Sequence, residues 1–480
     1  MSRVLFMTET HKTMLLSGGF ISFGPIWLSA VLKQHGHQCD ITGVNYKEAE
    51  KVFESFKPDI VAYTAYTGGH NSMVEINKKL KKKFKFFSAF GGPHATFSPE
   101  LIEEEDSIDG VCIGEGFEAF PDMVNRLEKR EDITNVQNWW VRVNDKIYKN
   151  PLRPLLKDLD VLPFPDRGIL DKYEASRWTR TATAMTSFGC PYKCSYCHNH
   201  QLHQMRVKGD KIFRQRSVDH VVRELKELRK NYPRVEYIVF RDEILIVDKD
   251  WVKEFSEKYP REVGLPFYCL TRPELITEEI IDDLKKAGVY YFGIGIESGN
   301  DYLRNVVLKR PMSKDQIING LKILRDKKVK FSTYNIIGAP GETMETAMET
   351  WRLNVQCHPT FCDTFVLIPY PKTDIYNYAV TNGYFDPNTK YPETYHDELV
   401  LNIDDKRRIE NFHHLFGLSV EFPFLIHIVK LLIRLPFRPL YNRIRKFWKG
   451  WNYRYRIYPY KVTWKETLTT LYDELFISKA

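Results

Sequence analysis

Short apolar runs alternate with stretches of helical period from the first residues onward. Arg3–Met7 reads as a strand. Pro25–Gln34 reads as a helix, with Pro25 suited to its first turn and Gly36 to its end. Gln38–Val44 and Asp59–Thr64 are further strands, and His70–Lys83 is a helix whose late lysines complement its dipole. Phe86–Phe90 is a strand that runs into Gly91-Gly92-Pro93-His94. Gly110–Ile113 is another, ahead of Gly114-Glu115-Gly116. This alternation predicts an α/β unit over residues 1–145, a doubly wound, Rossmann-like parallel sheet. Ligands on such sheets bind beyond the carboxyl ends of the strands, so loops 8–19, 64–69 and 91–96 are the expected contact regions.

Residues 146–180 carry Pro151, Pro154, Pro163 and Pro165 and read as an extended linker. Alternation then resumes over 181–390. Strands are predicted at Ala182–Thr186, Tyr237–Phe240, Phe267–Leu270, Tyr291–Ile296, Phe331–Ile337 and Asp363–Ile368. Helices are predicted at Asp219–Asn231, Glu278–Ala287 and Lys314–Lys327. Six βα steps predict a partial barrel, and polar residues follow the strand ends where barrel sites are built. Residues 391–480 read as a mostly helical region.

Composition changes little. An apolar content of 43% and a charged content of 28% are ordinary for a globular chain of 480 residues, which is long enough for two or three domains. A net charge of +8 is too mild to imply nucleic-acid binding. The first residues run directly into a strand and lack the apolar core of a signal peptide. No apolar window reaches the roughly 18–20 residues that span a bilayer. A cytoplasmic protein is expected, in a compartment that keeps thiols reduced.

Chemistry concentrates at Ser187–His200. Cys190, Cys194 and Cys197 stand there in a Cys-x3-Cys-x2-Cys spacing, while Cys39, Cys112, Cys269, Cys357 and Cys362 lie in apolar stretches. Three such thiolates can hold three irons of a [4Fe–4S] cluster and leave the fourth open to a ligand. A structural zinc site completed by His198 or His200 is the alternative that the spacing leaves open.

The cysteine run resembles the signature of the radical S-adenosylmethionine (SAM) superfamily. That resemblance implies that the open iron chelates SAM, and that the reduced cluster cleaves it to a 5′-deoxyadenosyl radical. It also implies roles for post-strand residues. Tyr196 packs on adenine, Asp242 and Glu243 meet the SAM ammonium, and Arg272 meets its carboxylate. Glu297 and Ser298 contact ribose or carboxylate, and Gly338 with Pro340-Gly341 skirts the adenine. Lys372 departs from the pattern, since many relatives have Gly in that Tyr-Pro-x-Thr turn. Ahead of the barrel, Asp59–Thr64, Phe90–Thr96 and Gly114-Glu115-Gly116 resemble a cobalamin-binding domain, which implies contacts from Thr64, Gly91, Gly92 and His94. Glu9 and His11 keep part of an Asp-x-His-x-x-Gly pattern without its glycine, so His11 is a candidate cobalt ligand.

The resemblance implies a cobalamin-dependent enzyme that methylates an unactivated carbon with [4Fe–4S], SAM and cobalamin. Cyclisation, oxidation or rearrangement is the enzymatic alternative. A metal-stabilised binding protein with a membrane-associated tail is the non-enzymatic one. A small-molecule or lipid-like substrate and an external donor of the flavodoxin or ferredoxin type are the expected partners. Phe422–Arg456 contains no Asp or Glu, but has nine Lys and Arg interleaved with aromatics. Two readings stay open for it: an interfacial, peripheral membrane contact, or a helical cap at the barrel mouth with basic groups near an anionic substrate. No RNA-binding module is recognisable, so nucleic acid is not an expected partner.

Overall fold

The computed structural model describes residues 1–8, 23–173, 180–389, 391 and 398–463. It divides into two compact units, residues 1–178 with 201–214, and residues 179–200 with 215–480.

In the first unit, β1 (Arg3–Met7), β2 (Gln38–Thr42), β3 (Ile60–Thr64), β4 (Phe87–Gly91) and β5 (Gly110–Cys112) are parallel, in the order β2-β1-β3-β4-β5. Strand alternation splits β1 between two cores. Val4 and Phe6 pack with Ile26, Phe120 and Trp139, whereas Leu5 and Met7 pack with Phe53, Tyr63 and Phe90. A sheet buried on both faces needs apolar residues at every position, which is why these strands read as continuous apolar runs.

The sheet does not stop where the sequence suggested. β6 (Trp139–Val143) and β7 (Lys146–Lys149) add an antiparallel hairpin to β5. Its two turn residues, Asn144 and Asp145, both take positive φ (51° and 61°), which is what a tight hairpin of matching twist demands. The proline-rich stretch is not a free linker either. Trp27 Nε1 donates to Pro163 O at 2.9 Å, Ser29 Oγ donates to Asp166 at 2.5 Å, and Ile169 and Leu170 join the core. Proline sets an extended backbone, but it does not prevent that backbone from docking.

In the second unit, β8 (Thr181–Ala184), β9 (Tyr237–Phe240), β10 (Phe267–Thr271), β11 (Val289–Glu297), β12 (Lys330–Ile337) and β13 (Phe361–Val366) form an all-parallel sheet in the order β13-β12-β11-β10-β9-β8. The end strands do not pair, so the barrel is partial. Inside it, the Tyr268 and Tyr334 hydroxyls bond at 2.9 Å, and Gly293 is what makes room for them, since a Cβ there would lie 2.0 Å from Tyr268 Oη.

The C-terminal helices complete this unit. The helix Lys406–Glu421 lies against β13, where Gly417 allows close approach to Cys362 O and His413 bonds Thr364 Oγ1 at 2.7 Å. The following segment crosses the start of the strands. Tyr453 meets Phe361, Tyr458 meets Tyr237, and Tyr460 Oη bonds Thr181 Oγ1 at 2.7 Å. Phe361, Tyr237 and Thr181 are each the first residue of a strand, so this segment closes the barrel floor. Within Phe422–Arg456, Tyr453 thus meets the start of a strand, whereas Ile426, Val429, Ile433 and Tyr441 share a core with Ile336, Ile337 and Ala339 at the carboxyl ends of the strands.

Candidate active site

The cysteine loop leaves β8 at the carboxyl end of the sheet and is fastened by its own polar residues. Ser195 Oγ donates to Val307 O at 2.7 Å and Ser195 N donates to Leu308 O at 3.0 Å, while Ser195 O accepts from Ile375 N at 3.0 Å. Asp242, at the end of β9, is fully buried. It accepts from Thr186 N at 2.9 Å, Thr186 Oγ1 at 2.7 Å and Ser187 Oγ at 2.6 Å. Its acceptor capacity therefore goes to bracing the start of the loop. The neighbouring Glu243 is exposed beside the loop and bonded to Asn199.

Two buried guanidinium groups converge on Cys194. Arg272 Nη1 lies 3.6 Å from its Sγ and Arg310 Nη1 lies 3.8 Å from it. Arg272 also stacks over the Tyr192 ring at 3.7 Å and pairs with Glu274. Arg310 donates to Gly295 O at 2.8 Å and faces Glu297 at 3.7 Å. Glu297 holds a positive φ of 65°, an uncommon conformation for a carboxylate residue, and Gly295 leaves the space that its side chain fills. Tyr196 packs against the core that includes Ile336 and Ile337. Burial, and then the Glu297 charge, holds its phenol well above the usual range, so it remains a neutral ring.

Other expected residues lie elsewhere. Ser298 is buried in the turn after β11, where its Oγ accepts from Asn300 N at 3.2 Å and its carbonyl accepts from Arg304 at 2.9 Å. Gly338 has φ 80° and opens a loop that Glu342 ties down by accepting from the Gly338 and Ala339 amides. Lys372 takes φ 65°, which accounts for the glycine that similar turns favour at this position. His200 Nε2 is 3.0 Å from Asp374, and His198 packs against Tyr370. Arg310, Glu274 and Tyr192 were not singled out in the sequence. Arg310 is 116 residues from Cys194, and nothing local marks it.

The residues present fit a cluster with an open iron and an anionic ligand beside it. Arg272 Nη2, Arg310 Nε and Glu274 Oε2 are buried and have no hydrogen-bond partner. Buried polar atoms of this kind are normally taken up by ordered water, an ion or a ligand. Partial burial lifts the Cys190 thiol to about 11 and the Cys197 thiol to about 12, and metal binding would reverse both by displacing their protons.

In the first unit, Thr64 ends β3 and Gly91 ends β4. Gly92 has φ 90°, and a Cβ there would crowd Ala65 O at 3.0 Å. At Gly91 a Cβ would meet nothing within 4 Å, so this turn is open to a ligand that approaches the backbone. His94 is buried, stacked on His70 at 3.6 Å, with its Nδ1 3.1 Å from Thr67 Oγ1. Glu9 and His11 lie outside the described residues.

Comparison with known proteins agrees with both units. The radical SAM superfamily model matches residues 185–353, and the B12 binding domain model matches residues 20–124. An uncharacterized methyltransferase of Pyrococcus horikoshii is 28% identical, over 71% of this chain and 73% of its own length. The anaerobic magnesium-protoporphyrin IX monomethyl ester cyclase of Rubrivivax gelatinosus is 25% identical, over 78% of this chain and 69% of its own. The solved cobalamin-dependent S-adenosylmethionine radical enzyme OxsB, with aqua-cobalamin and S-adenosylmethionine bound, shares the fold at a TM-score of 0.72. It is 15% identical, over 100% of this chain and 75% of that one.

Proposed function

Since this chain belongs to the B12-binding radical SAM enzymes, we propose that it transfers a methyl group to an unactivated carbon of a small-molecule or lipid-like substrate. The observation that carries the reading is the convergence of Arg272 and Arg310 on Cys194.

When bound, the cluster supplies the electron that cleaves SAM, and cobalamin carries the methyl group. Cys190, Cys194 and Cys197 would each hold one iron. Arg272 and Arg310 offset the thiolate charge from a buried position, where a guanidinium counts for more than it does in water. Arg272 Nη2 and Arg310 Nε, which carry no hydrogen bond, suit a carboxylate, which a guanidinium binds through paired N–H groups. Glu297 holds Arg310 in place, and Glu243, bonded to Asn199 of the loop, offers a carboxylate to the SAM ammonium. Tyr196 gives a neutral aromatic wall. Thr64, at the end of β3, and Gly91, Gly92 and His94, at and after the end of β4, would contact cobalamin. Reduction requires an external one-electron donor of the flavodoxin or ferredoxin type, and a cluster of this kind suits the cytoplasm.

Methyl transfer is favoured by the methyltransferase named among the relatives, and the Rubrivivax cyclase supports cyclisation as the second reading. Product analysis of the reconstituted enzyme with SAM, cobalamin and candidate substrates separates the two. Methylation yields S-adenosylhomocysteine beside 5′-deoxyadenosine. Cyclisation yields 5′-deoxyadenosine with no S-adenosylhomocysteine.

A further inference from the structure

The helices that close the barrel floor and its β13 edge carry a second surface on their outer side. Arg445 and Lys449 point inward and pair with Asp363 at 3.1 and 3.2 Å, with Tyr441 and Asn452 buried on the same face. Arg438 is taken up by Glu398 and Glu410, and Arg456 by Glu421. These cations are structural. The outward face of the helix Arg438–Asn452 shows the reverse of a soluble amphipathic helix. Leu440, Phe447 and Trp451 are 51%, 64% and 44% exposed.

The preceding segment repeats the pattern. Ile426, Val429 and Ile433 are buried, at helical spacing. Phe424, Ile428, Leu431 and Leu435 recur every three or four residues on the opposite side and are 71%, 55%, 63% and 41% exposed. The two stripes belong to one packed layer. Tyr441 Oη donates to Leu432 O at 2.7 Å, and the rings of Phe422 and Trp448 lie 5.7 Å apart. Lys430, Arg434 and Arg443 stand exposed among these side chains and make no ion pair among the described residues. An exposed apolar patch of this extent on a folded protein marks a docking face.

We infer that this face docks on an anionic lipid bilayer, lying in the plane of its headgroups. Charge complementarity selects that occupant. Residues 422–456 include no acid, and the acids that reach them are already paired, so a second copy of the face would set cation against cation. A bilayer surface offers phosphate to Lys430, Arg434 and Arg443 and acyl chain to Phe424, Leu431, Phe447 and Trp451. No helix among the described residues is long and apolar enough to cross a membrane, so the contact is peripheral. This inference is independent of the reaction catalysed.

The test is sedimentation of the full chain with large vesicles of phosphatidylcholine alone, or of phosphatidylcholine with phosphatidylglycerol, at low and high salt. Binding is expected only with the anionic lipid, and is expected to weaken with salt. Lys430→Gln, Arg434→Gln and Arg443→Gln together should weaken it by about a hundredfold, since each cation near such a surface contributes about a factor of five. Phe424→Ser with Phe447→Ser should abolish it while leaving the melting temperature unchanged, because both side chains are exposed. Failure of the intact chain to sediment with anionic vesicles overturns the inference. So does binding that is insensitive to all five substitutions, or a chain that is dimeric in solution and becomes monomeric on Phe424→Ser and Phe447→Ser.

Discussion

Arg310 places its Nη1 3.8 Å from the sulfur of Cys194, although the two residues are 116 positions apart in sequence. Its Nε faces Glu297 at 3.7 Å, and both side chains are almost fully buried. One arginine thus links the cysteine loop to the end of β11. Arg310→Met should lower 5′-deoxyadenosine formation at least tenfold. It should also destabilise the fold by about 3 kcal/mol, because it leaves Glu297 buried without its partner. Adding Glu297→Gln should restore the stability but not the turnover. Chemical denaturation beside a turnover assay reads both effects, and recovery of turnover in the double variant would contradict the assignment.

Asp242 acts on the same loop from below. Asp242→Ala leaves the Thr186 amide and the Thr186 and Ser187 hydroxyls without their acceptor in a buried setting. A loss of roughly 2–4 kcal/mol is expected, together with fewer irons per chain after reconstitution. Unchanged stability and full iron content would assign Asp242 to ligand contact rather than bracing.

Glu342 predicts a pH effect. Burial lifts its carboxyl to about 7, against the amide bonds from Gly338 and Ala339 that pull it down. The folded chain therefore holds this proton more tightly than the unfolded chain does. Its contribution to stability falls as pH rises from about 4.5 to about 7, and the deficit is complete above that. Glu342→Gln should flatten this part of the profile and stabilise the protein by up to about 3 kcal/mol at pH 8. Urea unfolding at several pH values between 5 and 8 measures it, and a slope unchanged by the substitution would exclude Glu342 as its source.

Gly92 and Gly91 make a matched pair. Gly92→Ala forces a side chain into φ 90° and against Ala65 O, so a cost of about 1–2 kcal/mol and weaker cobalamin binding are expected. Gly91→Ala meets no atom, so stability should hold while cobalamin affinity falls if the macrocycle or its tail covers this turn. Absorbance titration beside thermal melts separates the two effects.

What the sequence made legible was local. The cysteine spacing, the alternation of β1 to β5 and the six barrel strands all rest on neighbours within a few residues of each other. The hairpin β6–β7 was missed, because its turn at Asn144-Asp145 fell on the expected domain border and its second strand on the expected linker. Asp242 shows a different limit. Its position at a strand end was readable, whereas its partners Thr186 and Ser187 are more than fifty residues away. Arg310 and Glu274 lacked any local mark. The C-terminal helices were ambiguous because both of their faces are apolar and basic, and only packing distinguishes Arg445, which is held by Asp363, from the exposed Arg443.

Cys190, Cys194 and Cys197 are proposed to hold a cluster at which SAM is reductively cleaved. The most direct measurement is anaerobic: iron–sulfur-reconstituted protein with SAM, dithionite, cobalamin and candidate substrates, with 5′-deoxyadenosine quantified beside Cys194→Ala. 5′-Deoxyadenosine should form with the intact loop and be absent from the variant. Equal amounts from both proteins, or none from protein that carries a full cluster and turns over no substrate, would contradict it.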